Sequence, residues 1–192
     1  MDCAGGDFVY NCGIRLYQSP SVVGLDRGAW QGRMGSCSSA PRNWAAVLYV
    51  SDRRPELIVK AAEKFSAKQF TEDAVDNVTL YAPCAMGQVV SARNVHSIRF
   101  PIICGSANNQ LIQDNYAEIL QRNGVFYVPD YLANSGGVIN VAAEIGQIYD
   151  RQDVKTRVGL LSEKLRDVLE IAEKQSITPL AAANMLAEAR LQ

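Results

Sequence analysis

The chain has 192 residues, with 19 Lys+Arg against 20 Asp+Glu and a hydrophobic content of 48%. That length fits one domain, or a domain with appendages, and the composition is too apolar and too evenly charged for disorder. A net charge of −1 leaves no clustered basic face for nucleic acid, and no apolar run reaches the ~18 residues of a membrane span.

Five cysteines (Cys3, Cys12, Cys37, Cys84 and Cys104) form no CxxC pair. The odd count points to a reducing compartment rather than a disulfide framework. Met1 to Gly6 carry neither a basic stretch nor an apolar core, so no secretory leader is expected and the chain reads as cytoplasmic. A single histidine, His96, excludes a multi-histidine metal site.

Residues 1–44 differ from the rest. They hold seven of the fourteen glycines, both tryptophans and three of the five cysteines, with no Lys and no Glu. Helix-forming residues are scarce there, and Ser19 to Gly24 and Gly32 to Ser39 read as loop. Two readings stay open: an irregular segment, or a stretch out of its natural reading frame.

From Ala45 the elements alternate. Ala45 to Val50 is a continuous apolar run that fits a strand buried on both faces. Pro55-Glu56 opens a helix through about Phe65, with Pro in the first turn. Val78 to Ala82, Phe100 to Cys104 and Val125 to Val128 read as further strands. Asp114 to Arg122 reads as a helix closed by Asn123-Gly124. A helix from Val138 to about Tyr149 follows. A long one then runs from a cap at Asp153 to about Gln175, and a last one from Thr178-Pro179 to Arg190. Val154, Val158, Leu161, Leu165, Val168 and Ala172 step by 4, 3, 4, 3, 4, the spacing of a helix–helix seam. Left without a partner, that seam would expose an apolar patch.

Strands alternating with helices predict an α/β fold with a doubly wound parallel sheet over 45–150, followed by a helical pair over 151–192. Open α/β sheets bind ligands beside the carboxyl ends of their strands. That rule puts Asp52, Ala82 to Gly87, Gly105 to Asn109 and Asp130 to Gly137 on one rim.

Three rim segments carry recognisable words. They are Tyr81-Ala82-Pro83-Cys84-Ala85-Met86-Gly87, then Gly105-Ser106-Ala107-Asn108-Asn109-Gln110-Leu111, then Val128-Pro129-Asp130-Tyr131-Leu132-Ala133-Asn134-Ser135-Gly136-Gly137-Val138-Ile139-Asn140-Val141. In this order and at this spacing they closely resemble the C-terminal half of the leucine, phenylalanine and valine dehydrogenases, in the superfamily that also holds glutamate dehydrogenase. The resemblance runs from about Ala45 to Gln192. It implies a Rossmann-like sheet, incomplete here on its N-terminal side, and NAD as cofactor. The implied reaction is oxidative deamination of an apolar amino acid such as leucine, valine, phenylalanine or tryptophan to its 2-oxo acid. The family also implies a homo-oligomer.

Each word has a structural alternative beside its functional reading. Asp52 after a strand suits the hydroxyls of an adenosine ribose; otherwise it caps the helix that starts at Pro55. Arg53 and Arg54 beside it suit a 2′-phosphate, which leaves NADP open against NAD. Ala82, Pro83, Cys84 and Ala85 form a tight apolar turn suited to an adenine or ribose edge, or to simple chain reversal. The resemblance puts Asn108 and Asn134 near the nicotinamide end, where an amide offers donor and acceptor together; otherwise they stabilise turns. By the same resemblance Asn134, Val138 and Val141 line the substrate pocket, whereas a helix valine is more often core. Cys84 and His96 lie at different ends of one unit with no third orienting residue, so a Cys–His nucleophile is not expected.

Two family parts are not found. Counting back about 20 residues from Asp52 reaches Gln31-Gly32-Arg33-Met34-Gly35, which is not the G-x-G-x-x-G phosphate turn. The resemblance also implies a preceding substrate domain with a catalytic Lys and Asp, yet the first lysine is Lys60. No catalytic residue is therefore assigned, and the expectation is a partial or frame-disrupted copy. A non-catalytic nucleotide-binding or assembly module is the alternative.

Overall fold

A computed structural model of the chain describes residues 22–26, 47–84, 86–145 and 149–191. Its sheet has six strands: β1 (Val22–Asp26), β2 (Leu48–Ser51), β3 (Lys68–Gln69), β4 (Val78–Tyr81), β5 (Ile102–Ile103) and β6 (Phe126–Tyr127), in the spatial order β3-β2-β1-β4-β5-β6. β2 pairs with β3 in parallel, and β4, β5 and β6 are parallel in turn. β1 lies between β2 and β4 and runs antiparallel to both.

The five strands within 45–150 all run one way, as expected, and the sheet is mixed only through β1, which comes from residues outside that range. Val22 and Val23, expected in a loop, belong to its central strand. A five-residue strand with a glycine at its centre gives no periodic signal, and its direction depends on pairing with distant segments. The register also locates its ends. Val22 faces Ser51, at the carboxyl end of β2, while Asp26 faces Val78, at the amino end of β4. β1 thus leaves the sheet on the side away from the expected rim.

The helices follow the local chemistry closely. Helix α1 (Pro55–Phe65) begins at its proline, carries Glu56 in the first turn and ends on Ser66 in the left-handed conformation. Helix α2 (Tyr116–Arg122) is followed by Gly124 at φ 75, where glycine has no Cβ to clash. A short α3 (Asp130–Ala133) leads into α4 (Ser135–Glu144), which starts and stops earlier than expected.

The long helix expected from Asp153 to Gln175 is two: α5 (Arg151–Gly159) and α6 (Leu161–Gln175). Its cap is Asp150, not Asp153: the Asp150 Oδ1 accepts from the backbone N–H of Gln152 at 2.7 Å and of Asp153 at 3.4 Å. The break falls at Gly159-Leu160, since glycine carries the highest helix cost of any residue but proline. Helix α7 (Pro179–Glu188) starts as expected, with the Thr178 Oγ1 accepting from the Ala181 N–H at 3.1 Å.

The core gathers in patches on the sheet. Ile103 and Tyr127 pack with Tyr116, Ala117 and Leu120 of α2, with Val90 and Val95 from the loop before β5, and with Leu180 of α7. Leu80, Ala82, Cys104 and Val128 form a second patch, onto which Leu165 of α6 packs. The closing helices therefore share the core of the sheet. Val154, Val158, Val168 and Ala172 of the expected seam are buried, so the seam is not the exposed patch anticipated for it. Exposed apolar side chains cluster on α4, at Val138 and Val141, and at Ile145 just after it, while others such as Val59, Met86 and Leu191 are scattered singly. Cys84 is a free thiol.

Candidate functional site

Each parallel strand tip hands the chain to one of the three rim segments, and the backbone knits them together. The Pro83 carbonyl, just beyond β4, accepts the Ala107 N–H at 2.9 Å, and the Asn109 carbonyl accepts the Gln88 N–H at 2.6 Å. The Gln110 carbonyl accepts the Val90 N–H at 3.0 Å. Such close approach needs glycine. A Cβ on Gly105 would sit 2.5 Å from the Pro83 nitrogen, and one on Gly87 would sit 2.8 Å from the Asn109 carbonyl oxygen. Gln88 and Asn109 both adopt positive φ, 60° and 52°.

The third segment joins through side chains. Asn134 donates its Nδ2–H to the Asn108 Oδ1 at 2.7 Å, across 26 residues of sequence. The bond uses one donor group and one acceptor. It leaves the Asn108 amide NH2 and the Asn134 Oδ1 without a partner among the described residues. Asp130 bonds both sides of this pair. Its Oδ2 accepts the Gln110 N–H at 2.7 Å and the Tyr127 hydroxyl at 3.1 Å, and its carbonyl accepts the Asn134 N–H at 2.8 Å.

Gln110 is fully buried beneath the loop, donating to the Gly105 and Ala107 carbonyls at 2.9 Å each, while its Oε1 has no partner among the described residues. Burial pushes the Tyr127 hydroxyl well above its ordinary value, with the Asp130 charge adding to the effect. Burial likewise raises Tyr131 to about 12, helped by Asp114 and Asp130, and Tyr81 to about 12, helped by the neighbouring Cys84.

The other expected site residues divide. Asp52 does not cap α1, whose N-cap is Arg54. Its Oδ1 instead accepts the Arg54 N–H at 2.9 Å and faces the Arg54 Nε at 3.5 Å, in a side chain only 5% exposed. Arg53 is exposed. Ala82 and Pro83 are buried in the protein itself, which leaves half-buried Cys84 as the accessible side chain of that turn. Ala85, and the glycines at 32 and 35, lie outside the described residues. Val138 and Val141 are not core: they are 71% and 57% exposed.

Sequence reasoning did not single out Gln110, Asp130 or the two close-packed glycines. A glycine directly after a strand, and an Asp directly after Val128-Pro129, were the available signals. A buried polar network becomes visible only with tertiary structure. Among the described residues, no group of His, Cys, Asp and Glu could hold a metal ion.

A sheet whose tip loops converge on a partly unsatisfied amide pair defines an α/β protein whose candidate site lies at the carboxyl ends of β4, β5 and β6, where open sheets of this class bind ligands. The chain belongs to the Glutamate/Leucine/Phenylalanine/Valine dehydrogenase family, which matches residues 42–192, and it is thus a member of an amino-acid dehydrogenase, oxidoreductase family. It is 37% identical to leucine dehydrogenase of Bacillus cereus over 148 residues, covering 76% of this chain and 40% of that protein. It is 35% identical to phenylalanine dehydrogenase of Caldalkalibacillus thermarum over 155 residues, covering 77% and 41%. The fold matches the crystal structure of L-tryptophan dehydrogenase from Nostoc punctiforme with a TM-score of 0.69 and 34% identity, over 75% of this chain and 44% of that one. The chain thus spans about 40% of the length of the curated relatives it matches.

Proposed function

We propose that the rim is the cofactor and substrate cleft of an NAD-dependent dehydrogenase acting on apolar amino acids, and that this chain supplies the nucleotide-holding part of it. The carrying observation is the Asn108–Asn134 pair at the strand tips. Its spare NH2 and spare carbonyl match a group that offers one acceptor and one donor, as the nicotinamide carboxamide does. When bound, the nicotinamide takes the hydride from the amino acid's Cα. The protein's part here is to orient that ring through Asn108 and Asn134, and, on this reading, to turn the Asp52 carboxylate, now mostly buried beside Arg54, toward the distant ribose. Val138 and Val141, exposed one and two turns into α4, suit one apolar wall for a substrate side chain.

The strand order matches the 3-2-1-4-5-6 arrangement of dinucleotide-binding sheets, which supports a Rossmann-like reading with one reversed strand. That reversal has a consequence. A glycine turn that cradles pyrophosphate follows a strand ending at the rim, and β1 ends on the opposite side. Binding then rests on the nicotinamide and ribose contacts, and is weaker than in a sheet with that turn.

A second reading is favoured by the lysines. None of the six lies on the segments 81–87, 105–111 or 128–141, so the proton-transferring amine of the reaction has no counterpart on this rim. On that reading the chain by itself binds nucleotide without turnover. Calorimetry with NAD and NADP separates the readings, together with absorbance of reduced cofactor in the presence of leucine, valine, phenylalanine or tryptophan. NAD binding without turnover is the expected result. Turnover above blank overturns the second reading, and no binding of either nucleotide overturns both.

A further inference from the structure

Asp130 is a buried-side acidic residue that neither the proposed cofactor contacts nor the proposed substrate wall uses. It stands at the junction of two rim segments that carry the amide pair. Its carboxylate Oδ2 holds the Gln110 N–H at 2.7 Å, two residues beyond Asn108. Its carbonyl holds the Asn134 N–H at 2.8 Å through the short α3. The Asn134 to Asn108 bond at 2.7 Å then closes a ring of contacts that runs through Asp130.

The carboxylate is itself held in place. The Tyr127 hydroxyl donates to the same Oδ2 at 3.1 Å and accepts the Asp130 N–H at 3.3 Å, from a core residue only 3% exposed. Gln110 locks the other side by bonding two carbonyls of its own loop. A charged acceptor makes a stronger bond to a backbone N–H than a neutral one does. The arrangement therefore fixes the separation of two side chains that are themselves open to solvent.

We infer that Asp130 is a positioning residue: its carboxylate sets the distance between the Asn108 loop and the Asn134 helix, and so pre-forms the amide pair that faces the ligand. The inference rests on the nucleotide reading for its consequence, but not for its geometry. Pre-formed hydrogen-bonding groups bind without the cost of ordering flexible side chains.

The test uses the full chain labelled with 15N, with the side-chain amide signals of Asn108 and Asn134 assigned from the Asn108→Ala and Asn134→Ala variants. In the parent chain the Asn134 amide is shifted from solvent values and exchanges slowly. Asp130→Ala collapses that signal to the solvent position and weakens NAD binding roughly tenfold, the scale of one lost bond to a charged group. Asp130→Asn, whose amide oxygen can accept both bonds, largely restores the signal and the affinity. Tyr127→Phe keeps the ring in the core and removes one support, moving the signal part of the way; it decides the matter if Asp130→Ala does not fold. An unchanged amide signal in Asp130→Ala, or in Tyr127→Phe where that variant decides, overturns the inference. Equal loss of thermal stability in Asp130→Ala and Asp130→Asn with the amide pair intact overturns it too. Absence of NAD binding in the parent chain sinks the nucleotide reading alone, because the amide signals still report on the brace.

Discussion

Asn108 and Asn134 were legible as words of a family resemblance, but their partnership was not, because nothing in a linear sequence says that two amides 26 residues apart will meet. What brings them together is backbone packing at two glycines. A methyl group on Gly87 would press on the carbonyls of both Asn108 and Asn109, and the Asn109 carbonyl cannot yield without breaking the bond from Gln88. Gly87→Ala is therefore expected to lower stability by about 1–3 kcal/mol, the usual scale for forcing atoms into filled space. Thermal unfolding checks this, and an unchanged midpoint would show that the 108–109 loop has room to move. Asn134→Ala should behave oppositely. Its partly exposed amide contributes about 1 kcal/mol or less to folding, yet its loss should weaken NAD binding several-fold in calorimetry. A variant that loses stability but not affinity would place Asn134 outside the ligand's reach.

At the scale of elements, local chemistry was a good guide to existence and a poor one to boundaries. Pro55, Thr178-Pro179 and the apolar run ending at Val50 each marked an element, because caps and proline act within a few residues. The division of one expected helix into α5 and α6 is hidden in the sequence because the apolar seam continues in register across Gly159. The Gly159 Cβ position meets nothing within 4 Å, so alanine fits there without collision. Gly159→Ala should stabilise the chain by about 1 kcal/mol through helix propensity and a less flexible unfolded state. The end of α6 offers an independent check. Ser176 holds φ at 55°, a conformation that costs a residue with a Cβ about 1 kcal/mol and glycine almost nothing. Ser176→Gly is thus expected to raise the unfolding midpoint. A fall in either variant would mean that the native backbone at that position is not the one described.

For the whole molecule, the interplay of strand direction and buried hydroxyls escapes a linear reading altogether. The direction of β1 is set by pairing with β2 and β4, on either side of it in space and both later in sequence. In the same way, three tyrosines with partly or fully covered hydroxyls acquire their properties only when helices and strands pack beside them. Tyr81 and Tyr131 are both raised to about 12, chiefly by burial, and Tyr127 is raised further by the same cause beside Asp130. An unfolded tyrosine ionises near pH 10. Below that value both states hold the proton and stability is flat. Above it the unfolded chain releases protons that the folded chain retains, so the unfolded state binds fewer and stability falls as pH rises. The window for Tyr81 and Tyr131 is therefore about pH 10 to about 12, and the loss is fully developed only once pH passes the folded values. Urea unfolding at intervals from pH 8 to 11.5 should show a constant midpoint up to about pH 10 and a decline beyond it. Tyr81→Phe keeps the ring against Phe100, 4.9 Å away between centroids, and removes the ionising group. It should flatten part of that decline while leaving the plateau within about 1 kcal/mol of the parent. A decline of unchanged slope in Tyr81→Phe would show that this hydroxyl is as free to ionise in the folded chain as in the unfolded one.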